Sequence, residues 1–192
     1  MLSTRHSIDY HLALQPIKEK TLEKVLISSC LLGNKVRYNA SGLSISEQEL
    51  VWLKLNVELI VMCPEVSAGL PTPRPPAEII LGQGADVIDR KASVVGDDGH
   101  EVTAEFLHGA ELALKKCREQ GIRYAILAEG SPSCGSVQIY DGTFTGVKIP
   151  GQGVTAAMLI REGIKVYSQH TLANLKHELE TLELHERMEV HG

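Results

Sequence analysis

Three short aliphatic runs, KVLISS at 24–29, VELIVM at 57–62 and IRYAIL at 122–127, limit the fold more than any other feature of the sequence. Each is about one buried strand long and rich in β-branched residues. The stretches between them are too long for hairpin turns, and they carry helical patterns. Ser46 with Glu49 three residues on marks a capping-box start to a short helix through Leu50, Leu53 and Leu55. Phe106, Leu107, Ala110, Leu114 and Cys117 recur at helical spacing in a segment capped by Thr103 and ended by Gly121. A fourth run, IKVYS at 164–168, follows a small-residue helix from Val154 to Glu162. Strands joined through helices pair in parallel, which predicts an α/β fold: a single Rossmann-like three-layer domain with a mostly parallel sheet, plus a C-terminal helix.

The remaining segments divide the chain. Residues 1–22 have mixed charge and no period and are read as an N-terminal extension, 23–170 as the α/β domain, and 171–192 as a C-terminal amphipathic helix. In that helix Leu172, Leu175, Leu179 and Leu182 form one apolar seam, to be docked on the domain or on a second subunit as a homodimer contact. CPEVSAGLPTPRPPAEI, with five prolines, is expected to be a long stiff loop. ADVIDRKASVVGDDG reads as two short strands joined by a turn, and IYDGTFTGVKIPGQG as a glycine-rich loop.

At 192 residues the chain is long enough to bury one substantial core, and its net charge of −5 and pI near 5.9 argue against nucleic acid as a partner. No apolar run is long enough to span a bilayer, and the first residues lack a signal-peptide pattern, so the expectation is a cytoplasmic protein with no membrane partner. In that reducing compartment the four cysteines are not a disulfide framework.

Cys30, Cys63 and Cys134 each follow a predicted parallel strand, and in an open α/β sheet ligands bind beyond the strands' carboxyl ends. Three thiols distant in sequence would therefore meet along one edge. AEGSPSCGS sets Cys134 in a polar turn where its thiol has nothing apolar to hide against, which separates it from Cys117 on an apolar helix face, read as core. Without a C-x-x-C pair a zinc finger is poorly supported, but three thiolates with an open position suit either a catalytic zinc or a 4Fe–4S cluster with one free iron. Glu65, two residues after Cys63, is a candidate general acid or base. Ser131 and Ser133 flank Pro132 and offer hydroxyls to a substrate, while Arg37, Tyr38 and Arg74 are candidates to orient a polar ligand. For either arginine the plainer alternative is an ion pair with Glu78 or Asp141, and the histidines are read as surface residues. GVTAAML after PGQG offers a weak anion site at a helix N-terminus.

Taken together, SSCLLGNKVRYNASG, CPEVSAGLPTPRPPAEI, GSPSCGS, IYDGTFTG and GQGVTAAML resemble, in matching order from Val25 to Tyr167, the domain of unknown function 523 family, which includes the iron–sulfur-dependent thiouracil desulfidases. The resemblance implies a bacterial 4Fe–4S enzyme whose three cysteine ligands match Cys30, Cys63 and Cys134, leaving one iron open. It also implies a non-redox desulfuration, the C–S hydrolysis of a thiolated nucleobase such as 2-thiouracil to uracil and sulfide. Glu65 would activate the water, Ser131 would contact the substrate with Ser133 close behind, and the partner is a small thiolated pyrimidine. The alternative from another class is a non-catalytic iron–sulfur or zinc module that senses or delivers metal or sulfide.

Overall fold

The structure, a computed structural model, describes residues 21–189. The expected extension lies outside the described residues apart from Thr21 and Leu22. Four parallel strands make the central sheet in the order β2-β1-β5-β8: β1 (Glu23–Ser28), β2 (Val57–Met62), β5 (Tyr124–Leu127) and β8 (Lys165–Ser168). They coincide with the aliphatic runs, and helices cover both faces of the sheet. Val25, Leu26, Ile27, Tyr124, Ala125, Ile126 and Leu127 are all buried, as continuous apolar runs require when both faces are packed.

α1 (Glu47–Asn56) begins as expected, with the Ser46 hydroxyl accepting the Glu49 N–H at 3.2 Å and the Glu49 carboxylate accepting the Ser46 N–H at 2.9 Å. α4 (Thr103–Gln120) ends at Gly121, but Thr103 does not cap it. Val102 holds the cap position, and the Thr103 hydroxyl accepts the Val94 N–H at 2.9 Å, tying the helix start to a neighbouring strand.

Three expectations give way between the main strands. Pro64 opens one helical turn, α2 (Pro64–Ser67), inside the predicted loop, because a proline without an N–H is tolerated at the first position of a helix. The stretch expected to be two strands is instead α3 (Gly84–Ile88), capped by Gln83 and Asp86, followed by β4 (Ser93–Gly96). The partner of β4 is β3 (Ala77–Ile80), directly after the prolines, in an antiparallel pair. The glycine-rich loop contains a hairpin of β6 (Gln138–Tyr140) and β7 (Lys148–Pro150). These elements surround a second small core of Ile79, Val87, Val94, Phe106, Ile139 and Val154. α5 (Val154–Arg161) and α6 (Leu172–Glu189) complete the chain. Leu172, Leu175 and Leu179 are buried in the main core and Leu182 packs beside them, so the seam of α6 is covered by its own domain. Among the described residues no helix is long and apolar enough to cross a membrane.

Candidate active site

The strand order places the carboxyl ends of β1, β2 and β5 side by side, and each leads into a cysteine. Cys30 lies in a 3-10 turn, Ser29–Leu31, two residues beyond β1, where its carbonyl accepts the N–H groups of Gly33 and Leu43. Cys63 is the N-cap of α2, and Cys134 lies in the turn after β5. All three border one cavity of about 510 Å³. Cys134 is only 5 % exposed and belongs to the main core, contrary to the expectation that a polar turn leaves its thiol without cover. The turn folds inward, and Ser28 at the end of β1 donates its hydroxyl to the Cys134 sulfur at 3.5 Å while accepting the Ala128 N–H at 3.1 Å. Cys117 is core, as expected, and does not border the cavity.

Two features that sequence reasoning missed hold this turn. The first is the N-terminus of α5, where the N–H groups of Gly153, Val154 and Thr155 each bond, at 2.8 Å, to the carbonyls of Gly135, Pro132 and Ser133 respectively. The helix end expected to attract an anion is thus occupied by the turn itself. Gly153 is required by the closeness of this approach, since a Cβ there would lie 2.5 Å from the Ser133 carbonyl. The second is Glu129, whose carboxylate accepts the N–H groups of Ser136, Val137 and Gln138 at 2.9–3.1 Å and the Ser136 hydroxyl at 2.7 Å. Burial opposes its charge, but these hydrogen bonds, led by the Gln138 N–H, outweigh it and hold the carboxyl below the ordinary glutamate value. Its position at the head of EGSPSCGS was the available clue.

Glu65, in the single turn of α2, borders the cavity together with Ser131, and Ser131 donates its hydroxyl to Glu65 Oε1 at 3.5 Å. The Ser131 oxygen also accepts the N–H groups of Ser133 at 3.1 Å and Cys134 at 3.2 Å. Arg74 pairs with neither Glu78 nor Asp141. Its Nε and Nη2 donate to Glu65 Oε2 at 2.9 and 2.6 Å, and its other bonds go to the carbonyls of Val36 and Pro71 and to the Thr72 hydroxyl. The two side chains are only 7 % and 14 % exposed, so this ion pair is buried. Arg37 and Tyr38 border the cavity, with the Arg37 guanidinium 5.7 Å from the Tyr38 ring centre. Ser133 does not border it, because its hydroxyl is turned to Thr155 at 2.9 Å. His100, read as a surface residue, stands at the cavity's edge, 3.1 Å from Asp98.

The donor set, three thiols, suits a soft metal or an iron–sulfur cluster. Burial, with the neighbouring Cys63 and Glu65, pushes the Cys30 thiol up to about 11, and burial likewise raises Cys63 and Cys134. Thiolates gathered here need a compensating cation, which iron supplies. Among the described residues no three His, Cys, Asp or Glu side chains converge tightly enough for a single metal ion.

The profile of the 2-thiouracil desulfurase family matches residues 25–171. This chain belongs to that family. The match spans all three strand-end cysteines, Glu65 and Ser131, and marks the protein as a desulfidase-like enzyme. A solved structure, the [4Fe-4S]-dependent thiouracil desulfidase TudS, is 48 % identical, superposes with a TM-score of 0.74, and covers 83 % of this chain and 99 % of its own. The uncharacterized protein YbbK of Bacillus subtilis (strain 168) is 42 % identical over 151 residues, 79 % of this chain and 99 % of that protein. The family member described here thus shares its fold with an iron–sulfur-dependent relative.

Proposed function

We propose that the protein hydrolyses the carbon–sulfur bond of a thiolated pyrimidine such as 2-thiouracil, giving uracil and sulfide with no net redox change. The observation that carries this reading is the single cavity bordered by three strand-end thiols, Glu65 and Ser131. Cys30, Cys63 and Cys134 would hold a 4Fe–4S cluster. When bound, the cluster would supply an iron with an open coordination position, a Lewis acid for the thiocarbonyl sulfur.

The chain's own residues do the rest. Arg74 holds Glu65 Oε2, which leaves Oε1 facing Ser131 and the cavity to take a proton from the attacking water. Water's oxygen bonds to the ring carbon, the carbon–sulfur bond breaks, and sulfur leaves as sulfide. The Ser131 oxygen is fixed by two backbone N–H groups, and its hydroxyl proton, aimed at Glu65 Oε1 over a long 3.5 Å, would turn to hold the base or the charge that develops on it. Arg37 and Tyr38 orient the ring from the opposite loop. Ser131 takes the contact for which Ser133 was the second candidate, because only Ser131 faces the cavity.

The test is iron and sulfide content, the absorption band at roughly 400 nm expected of thiolate-bound iron, and 2-thiouracil turnover on anaerobically reconstituted protein. Cys134→Ala should lose iron, band and turnover together, whereas Glu65→Gln should keep the band and lose turnover. Protein that loads a cluster but releases no sulfide from any thiolated pyrimidine would favour the non-catalytic alternative.

A further inference from the structure

The cavity holds a second buried carboxylate that the proposed reaction does not use. Along β3 the two-residue alternation sends Ile79 into the small core, and Glu78 to the opposite face, where it is 7 % exposed and borders the cavity. Glu78 Oε2 accepts the N–H of Phe144 at 3.1 Å, while Oε1 has no hydrogen-bond or ion-pair partner among the described residues. Among the described residues no fully buried side-chain nitrogen or oxygen lacks a partner, so Oε1 keeps some accessible surface, and the residue that carries it borders the cavity.

The segment carrying Phe144 is seated on the same strand. Gly142, at φ +85°, lies so close to β3 that a Cβ would stand 2.7 Å from the Ile79 carbonyl. Asp141 Oδ1 accepts the Thr143 N–H at 3.0 Å, and Phe144 follows in the left-handed region at φ +58°. Phe144, 38 % exposed, borders the cavity, as do Phe106 and Tyr140.

A carboxylate accepts hydrogen bonds and donates none. A 2-thiouracil ring presents N–H groups at N1 and N3, on both sides of its thiocarbonyl, whereas 2-thiocytosine keeps N1–H but has an unprotonated N3. An aromatic side chain offers its face or edge to a flat ring. We infer that Glu78 and Phe144 form the base-recognition wall, with Glu78 Oε1 accepting the N3–H of the base and Phe144 packing on the ring, and that they select thiolated pyrimidines protonated at N3. The inference rests on the reaction proposed above, and its test separates the two.

With the holoenzyme, kcat/KM is compared for 2-thiouracil and 2-thiocytosine, and uracil binding is measured by calorimetry. Glu78→Gln keeps the side chain's shape but adds a donor. It should lower kcat/KM for 2-thiouracil about tenfold or more, mainly through KM, and should shrink the preference over 2-thiocytosine by about tenfold. Phe144→Gly suits the positive φ and should weaken uracil binding about fivefold with the iron absorption unchanged. An unchanged substrate ratio in Glu78→Gln, or unchanged uracil binding in Phe144→Gly should Glu78→Gln not fold, overturns the inference. Wild-type holoenzyme that turns over neither base overturns the underlying reaction instead.

Discussion

Arg74 and Glu129 show how single residues prepare this site without entering the chemistry. Arg74 is a positioning residue: its guanidinium reaches Glu65 and two loop carbonyls at once, which a lysine's point charge cannot do. Arg74→Ala leaves the Glu65 charge buried and unpaired, at a cost of about 3–5 kcal/mol, to be read as a lowered denaturation midpoint. Arg74→Lys should keep the iron absorption but lower kcat about tenfold, with KM little changed. Glu129 has a pKa lowered by folding, so its stabilisation is complete above the ordinary glutamate value of about 4.3 and is lost as pH falls through the lower folded value. Glu129→Gln should therefore cost about 1–3 kcal/mol at pH 7 and flatten the acid side of the stability profile. An unaltered acid midpoint would count against this role.

At the scale of elements, the contact between α5 and the Cys134 turn would couple packing to the cofactor binding proposed for that thiol. A methyl group at position 153 would fall 2.5 Å from the Ser133 carbonyl, so the turn and its thiol must move. Gly153→Ala should retain the far-ultraviolet helix signal but bind substantially less iron on reconstitution. α6 contributes no residue to the cavity's lining. Leu175 is fully buried in its seam, and Glu178 receives hydrogen bonds from Tyr124, Tyr167 and Lys165. Leu175→Ala should cost about 2–5 kcal/mol with the iron content and KM unchanged, a separation that thermal melts and iron assays together can check.

For the whole molecule, the site joins loops from three neighbouring strands, which also touch directly where Arg74 bonds the Val36 carbonyl and Ser131 bonds Glu65. A cofactor held by Cys30, Cys63 and Cys134 would bind the folded chain alone, so chelating the iron should lower Tm by roughly 5 °C or more. Equal midpoints with and without iron would show that the thiols contribute nothing to joining these loops. The acidic side chains around the cavity, Glu65, Glu78, Asp97, Asp98 and Glu129, fit the negative charge of the whole chain.

The parallel strands, α1 with its Ser46–Glu49 box, and the placement of Cys30, Cys63 and Cys134 were legible in the sequence, because aliphatic runs and capping residues act locally. The short elements α2, α3 and the β6–β7 hairpin were not, since runs of three to five residues carry too little periodicity to outweigh prolines and glycines. Tertiary structure alone decided that Arg74 pairs with Glu65, that Ser131 and not Ser133 faces the cavity, and that Glu78 borders it from β3. Sequence by itself determined which chemical groups stand at the strand ends. Which of them face one another depends on contacts between residues far apart in the chain, and those are set only when the two cores pack.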